Sequence, residues 1–229
     1  RYKIKEDFSL IVNLFCLSLI SLILIIQPDF GMFILICVVW IIQLFTINIK
    51  SKILFPIISF ILGVFLLCFF ILDHVRFRIM NYLFSDIGDN YQIMKSIDSF
   101  KSGGLFGQGI GEGVISKKLP DSHSDFVYAL ISEELGIIVA IIILLLYVIP
   151  YVRIHYICQR SSNLFTITSL TGLSNIFLFQ TIINISSTLN IIPTKGMTLP
   201  FISYGGSSLI SSALLIGFIL VLIKDDINE

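Results

Sequence analysis

Residues 126–149 read FVYALISEELGIIVAIIILLLYVI. The fold turns on this run. It exceeds the ~20 apolar residues that a helix needs to cross ~30 Å of hydrocarbon. Working outward, five further runs of comparable length occupy 9–26, 31–49, 53–72, 163–189 and 201–223. Of all the charged residues, only Glu133 and Glu134 fall inside a run. The whole chain of 229 residues is 56% hydrophobic and 13% charged, with mean hydropathy +0.97. An ordinary soluble domain is ~45–50% apolar and ~25% charged. A soluble globule and a disordered tail are therefore excluded. Lys+Arg and Asp+Glu both number 15, so no net field draws a nucleic acid. The expectation is an all-α, polytopic helical membrane protein. Six transmembrane helices would form a single transmembrane domain over 1–229.

Six spans put both termini on one side. The loops 1–8, 50–52, 150–162 and 224–229 carry eight Lys and Arg, and the opposite set carries seven over more than twice the length. The denser set faces the cytoplasm by the positive-inside rule, so the termini are expected there and the long segment 73–125 outside. The four cysteines form no C-x-x-C and no metal-ligand spacing. Cys16, Cys37 and Cys68 fall within spans and Cys158 in a short loop. All four are expected to be free thiols packed as small hydrophobes.

The segment 73–125 is the place with room for chemistry, since structureless loops beyond ~12–15 residues are usually functional or disordered. Its acids are Asp73, Asp86, Asp89, Asp98, Glu112, Asp121 and Asp125. Tyr91, Met94, Lys95, Ile97 and Asp98 have the spacing of a short amphipathic helix. SGGLFGQGIGEG (102–113) follows, with glycines that permit tight turns and positive φ. A phosphate cradle is a weaker reading of that run, because no strand precedes it and no helix opens from it.

LPDSHSDFVYALISEELG (119–136) closes the segment and opens the fourth span. Pro120 breaks the chain ahead of the helix, and Ser122 or Ser124 is a candidate cap. Asp125 then lies in or before the first turn, where the helix dipole favours an ionised acid. That alone accounts for its presence; a role in chemistry is the other reading. Carboxylates inside a span usually face a bundle interior or an aqueous cavity. Glu133 is eight residues past Asp125, about 80° round the helix and about 12 Å along it, so it can flank a cavity shared with Asp125. Glu134 points the opposite way and is expected to pair with a neighbouring helix. His123 has no second His or Cys at metal spacing, so no metal site is assigned.

Near the C-terminus, Pro193 and Pro200 bracket a loop holding Lys195. Tyr204-Gly205-Gly206-Ser207-Ser208 then lies within an apolar run. Small residues there serve close helix packing, or the helix opens locally to line a polar cavity. QPDFG (27–31) makes the turn between the first two spans, with Asp29 on the outer side.

These motifs resemble those of the SEDS family (shape, elongation, division and sporulation). LPDSHSDFVYALISEELG is similar to the family signature LPE/D-x-HTDF-I/V-x-A-x-x-x-EE-x-G. PTKGMTLPFISYGGSS (193–208) is similar to its C-terminal signature, and QPDFG and DNYQ…GGLFGQGIGEG fall in the family's order. The Lys and Thr of PTKGMTLP lean to the branch that acts in division. Ser124, Tyr128 and Asp121 stand where other members have Thr, Phe and Glu. The family has about ten spans, and the six here match its last six, with the first four missing.

The resemblance implies a peptidoglycan glycosyltransferase that polymerises lipid II on the outer face of the bacterial plasma membrane, at the division septum. Asp125 matches the acid the family uses in catalysis, as general base for the acceptor hydroxyl. His123, Lys117, Lys118, Lys195 and Glu133 are the candidate substrate-binding residues, the lysines for the pyrophosphate. A divalent cation able to share that task is a further expectation, as is a septal penicillin-binding transpeptidase partner within the divisome. Two other readings stay open: a flippase for the lipid-linked precursor, served by buried Glu133 and Glu134, and a truncated scaffold that binds divisome partners without activity.

Overall fold

The computed structural model describes residues 2–84, 91–193 and 196–228, with side chains described from Val12 to Asp225 outside the two gaps. Asp86, Asp89, Thr194 and Lys195 lie outside the described residues. Among those described there are eight α-helices and no strand. They are α1 (Tyr2–Ile26), α2 (Phe30–Thr46), α3 (Ser51–Ile71), α4 (Asp73–Phe84), α5 (Tyr91–Gly103), α6 (Val127–Cys158), α7 (Leu164–Thr188) and α8 (Gly206–Asn228). A 3-10 turn covers Ser116–Lys118.

Four helices are long and apolar enough to cross a membrane: α3, α6, α7 and Gly206–Asp225 of α8. The described apolar stretches of the first two runs, Val12–Ile26 and Phe30–Thr46, are shorter. The chain is therefore an all-helical membrane protein with four such helices among its described residues. Asp29 starts α2 as its N-cap, its carboxylate accepting from the Met32 N–H at 3.0 Å. This satisfies one of the orphan donors of the first turn.

Three expectations change. Residues 73–125 are not one long loop: besides the short amphipathic helix expected from Tyr91 onward, seen as α5, they hold α4 and the 3-10 turn. The last run starts late, because Pro200 is followed by a turn with Phe201 at φ 64 and α8 begins only at Gly206. Cys158 ends α6 and is buried there rather than lying in a loop.

Of the four apolar cores among the described residues, two are the largest. Phe30, Phe33, Cys37, Cys68 and Val75 join α2, α3 and α4. Val127, Tyr128, Ala140, Tyr147, Phe177, Ile185 and Leu199 join α6 and α7 to the chain before α8. Between them, Leu35 and Val39 of α2 pack with Met197 and with Ile176, Phe179 and Ile183 of α7.

Candidate active site

α6 is one helix by sequence but two by geometry. Gly136 has φ 84 and ψ 169 inside it, a conformation open to glycine and strained for other residues. A break of this kind frees carbonyls and N–H groups that must find other partners. The glycine run 103–113 supplies them. Ile137 and Ile138 donate to the carbonyls of Gly104 and Leu105 (3.0 and 3.5 Å), while Gln108 and Gly109 donate to those of Glu133 and Glu134 (2.9 and 3.0 Å). The approach is too close for side chains. A Cβ on Gly107 would lie 2.2 Å from the Glu134 carbonyl oxygen, and one on Gly136 would lie 2.3 Å from that of Leu105. The glycine run is thus the partner of a broken helix. The Gln108 and Gly109 N–H groups are engaged at that break rather than turned to an anion.

Glu133 completes the attachment. Its side chain is fully buried and accepts from the N–H groups of Val114, Ile115 and Ser116 at 2.9, 2.9 and 2.7 Å. The expected cavity flank shared with Asp125 is not its setting: the carboxylate faces the backbone that enters the 3-10 turn. Glu134 lies against the same loop rather than a neighbouring helix. A Cβ on Gly113 would be 3.3 Å from both the Glu134 Cγ and the Glu133 Cδ.

The other end of α6 carries Asp125. Neither Ser122 nor Ser124 caps the helix. Phe126 is the N-cap residue with no side-chain hydrogen bond, and the Ser124 hydroxyl instead donates to the Asp121 carbonyl at 3.2 Å. Asp125 is half-buried, just outside the helix. Burial first, and then the charge of Asp121, raise its carboxyl above the ordinary range. The expected dipole-stabilised, easily ionised acid is overridden by these two effects.

Two distant stretches of sequence meet here. The Tyr204 N–H donates to the His123 carbonyl at 2.8 Å, and the Ser203 hydroxyl donates to the Ser124 carbonyl. Asn184 of α7 is fully buried and donates through Nδ2 to two carbonyls, those of Asp125 (3.0 Å) and Met197. Gly196 lies under the carboxylate: a Cβ there would stand 3.0 Å from Asp125 Oδ2. Tyr147 fixes the turn from below, its hydroxyl donating to the Pro200 carbonyl. The non-helical segment before α8 is therefore the floor of the Asp125 site, and Gly206, Ser207 and Ser208 open α8 itself.

His123, Lys117 and Lys118 are exposed, and Lys117 donates to the Gly111 carbonyl. Asn184, Gly196 and Ser203 are the site residues that sequence reasoning missed. For Asn184 the available signal was an amide inside an apolar run. Among the described residues, no three His, Cys, Asp or Glu side chains group to hold a metal. These residues alone do not compose a divalent-cation site. A cavity of about 800 Å³ between α1, α2 and α3, lined by Phe33, Trp40 and Phe60 among others, includes none of the residues around Asp125.

Residues 2–227 match the family described as Cell cycle protein, which takes in FtsW, RodA and SpoVE. A protein of Caulobacter vibrioides named "Probable peptidoglycan glycosyltransferase FtsW" is 36% identical over 88% of this chain and 52% of its own. One of the same name from Coxiella burnetii is 34% identical over 94% and 60%. The chain thus spans little more than half the length of these relatives. Among solved structures, a peptidoglycan synthase complex coordinating polymerization and crosslinking superposes with TM-score 0.69 at 22% identity, over 93% of this chain and 62% of that one. A Thermus thermophilus rod shape determining protein RodA variant superposes with TM-score 0.60 at 23% identity, over 90% and 54%.

Proposed function

This chain belongs to the Cell cycle protein family of FtsW, RodA and SpoVE, and on that premise we propose that it is a peptidoglycan glycosyltransferase. Its reaction would join lipid II units into β-1,4 glycan at the division septum. The observation that carries the reading is the setting of Asp125: a half-buried carboxyl with a raised pKa, built from both family signatures. A base whose pKa approaches the working pH is a better proton acceptor, and general-base catalysis contributes roughly 10²–10⁴-fold.

In the proposed step the Asp125 carboxylate takes the proton of the acceptor sugar's 4-hydroxyl. The oxygen forms its bond to the donor's anomeric carbon as the bond to undecaprenyl pyrophosphate breaks. Attack from the opposite face inverts that carbon from α to β. Lys117, Lys118 and Lys195 are proposed to receive the pyrophosphate, and exposed His123 to contact a sugar. Glu133 is proposed to act at one remove, by holding the backbone that carries Lys117 and Lys118. Six spans in a single domain, cytoplasmic termini, the inner membrane and a septal penicillin-binding transpeptidase partner belong to the same reading.

The test is glycan polymerisation from lipid II in proteoliposomes, with the transpeptidase present. Wild type is expected to give polymer. Asp125→Asn is expected to give none while reaching the membrane in equal amount. Full activity in that variant overturns the assignment.

A further inference from the structure

We propose that the glycine loop 104–114 is a membrane-embedded wedge whose apolar side chains enter the acyl region of the lipid leaflet on its side of the protein. Phe106 and Ile110 are 82% and 81% exposed, and Leu105 and Val114 are 61% and 58% exposed. Large side chains this bare are unusual on a loop standing in water, and contiguous apolar exposure marks an interaction surface.

The depth of the loop follows from α6. Through its hydrogen bonds to residues 133–138, the loop lies beside the helix at the level of Gly136. Towards its other end, the helix runs without a charge from Ile137 to Val152, and Arg153 is the first ion. That stretch rises about 24 Å, less than the ~30 Å of a hydrocarbon core. With Arg153 at one boundary, the level of Gly136 falls at or inside the other.

The surface there is continuous. Leu105 is bonded through its carbonyl to Ile138, and Ile137, Ile138, Ile141 and Ile142 are all exposed on α6. A loop at that level next to lipid needs its backbone polar groups satisfied within the protein. The reciprocal bonds at the helix break and the Val114 N–H on Glu133 supply this for the Gly104 and Leu105 carbonyls and for the Gln108, Gly109 and Val114 N–H groups. Exposed Lys101, Lys117 and Lys118 flank the wedge, as suits the headgroup layer.

Trp40 is the one tryptophan of the chain, so Trp40→Phe gives a silent background. Phe106→Trp, Ile110→Trp and, as a water-side reference, Glu112→Trp are then reconstituted in phosphatidylcholine–phosphatidylglycerol vesicles. At 106 and 110 the expected result is blue-shifted emission, lost to brominated acyl chains and protected from iodide. At 112 iodide quenches. Iodide quenching at 106 and 110 equal to that at 112, with no effect of brominated chains, overturns the proposal and leaves the loop a surface for a soluble partner. A second reading needs no variant. Wild-type protein photolysed with a chain-diazirine lipid is expected to carry label on 104–114. Label on α6 alone overturns the proposal equally. Neither measurement depends on glycan synthesis.

Discussion

Burial and the charge of Asp121 both lift the Asp125 carboxyl, and the sign of the pH dependence follows. A general base works as the carboxylate, so activity is lost as pH falls through the raised value. The acid limb of kcat/KM is expected above the pH at which an ordinary carboxylate would place it. Asp121→Asn removes the like charge and is expected to move that limb to lower pH, with polymerisation retained. Asp121 already has φ 56, a conformation Asn accepts readily. A limb that stays in place would remove Asp121 from the account. Gly196→Ala presses a methyl on Asp125 Oδ2. It is expected to lower the rate about 10–100-fold, the scale of a small misplacement at a reacting group, at equal membrane abundance. The acid itself was legible, because a carboxylate ahead of an apolar run is a signal in one dimension. Its floor was not: Asn184, Gly196 and Ser203 reach it only through the packing of α7 and the turn before α8.

One helix break organises the middle of the chain. The run 126–149 resumes beyond Glu133 and Glu134 and continues past Gly136, so nothing in its periodicity marked the break. The glycines of 103–113 were legible as turn formers, yet their partner was not, since it lies some thirty residues on. Gly107→Ala places a Cβ 2.2 Å from the Glu134 carbonyl oxygen at φ 79. Backbone strain of that kind costs on the order of 1–3 kcal/mol, before the clash is counted. A lowered melting temperature in detergent is the expected readout. Glu133→Ala leaves the N–H groups of Val114, Ile115 and Ser116 without their acceptor. Each unsatisfied group costs about 1–3 kcal/mol. Hydrogen exchange at amides 114–116 is expected to accelerate strongly, and Glu133→Gln, which keeps an acceptor, to fall between. Unchanged exchange in the alanine variant would show that other contacts hold the 3-10 turn.

At the scale of the molecule, the apolar runs announced helices, and the bounds of α7 agree with the run 163–189 to within a residue at each end. How the helices join was beyond the pattern, because it depends on single small residues. Gly172 of α7 is such a joint. Gln43 of α2 reaches across it to donate to the Thr168 carbonyl at 3.3 Å, and a Cβ on Gly172 would come within 2.0 Å of the Gln43 amide nitrogen. The amide is the far end of a flexible side chain, so it can move, but moving breaks its bond to Thr168. That loss is worth about 1 kcal/mol, and displaced packing adds to it. Alanine in a helix interior is favoured over glycine by about 1 kcal/mol. Gly172→Ala is therefore expected to be neutral to destabilising in the native background. With Gln43→Ala already present, the obstruction is gone and only the propensity gain remains. The same substitution should then stabilise. A double-mutant cycle on thermal unfolding in detergent reads the difference directly. If Gly172→Ala has the same effect in both backgrounds, the α2–α7 contact does not pass through this pair, and the packing of Leu35 and Val39 against Met197 and α7 must hold the two cores together.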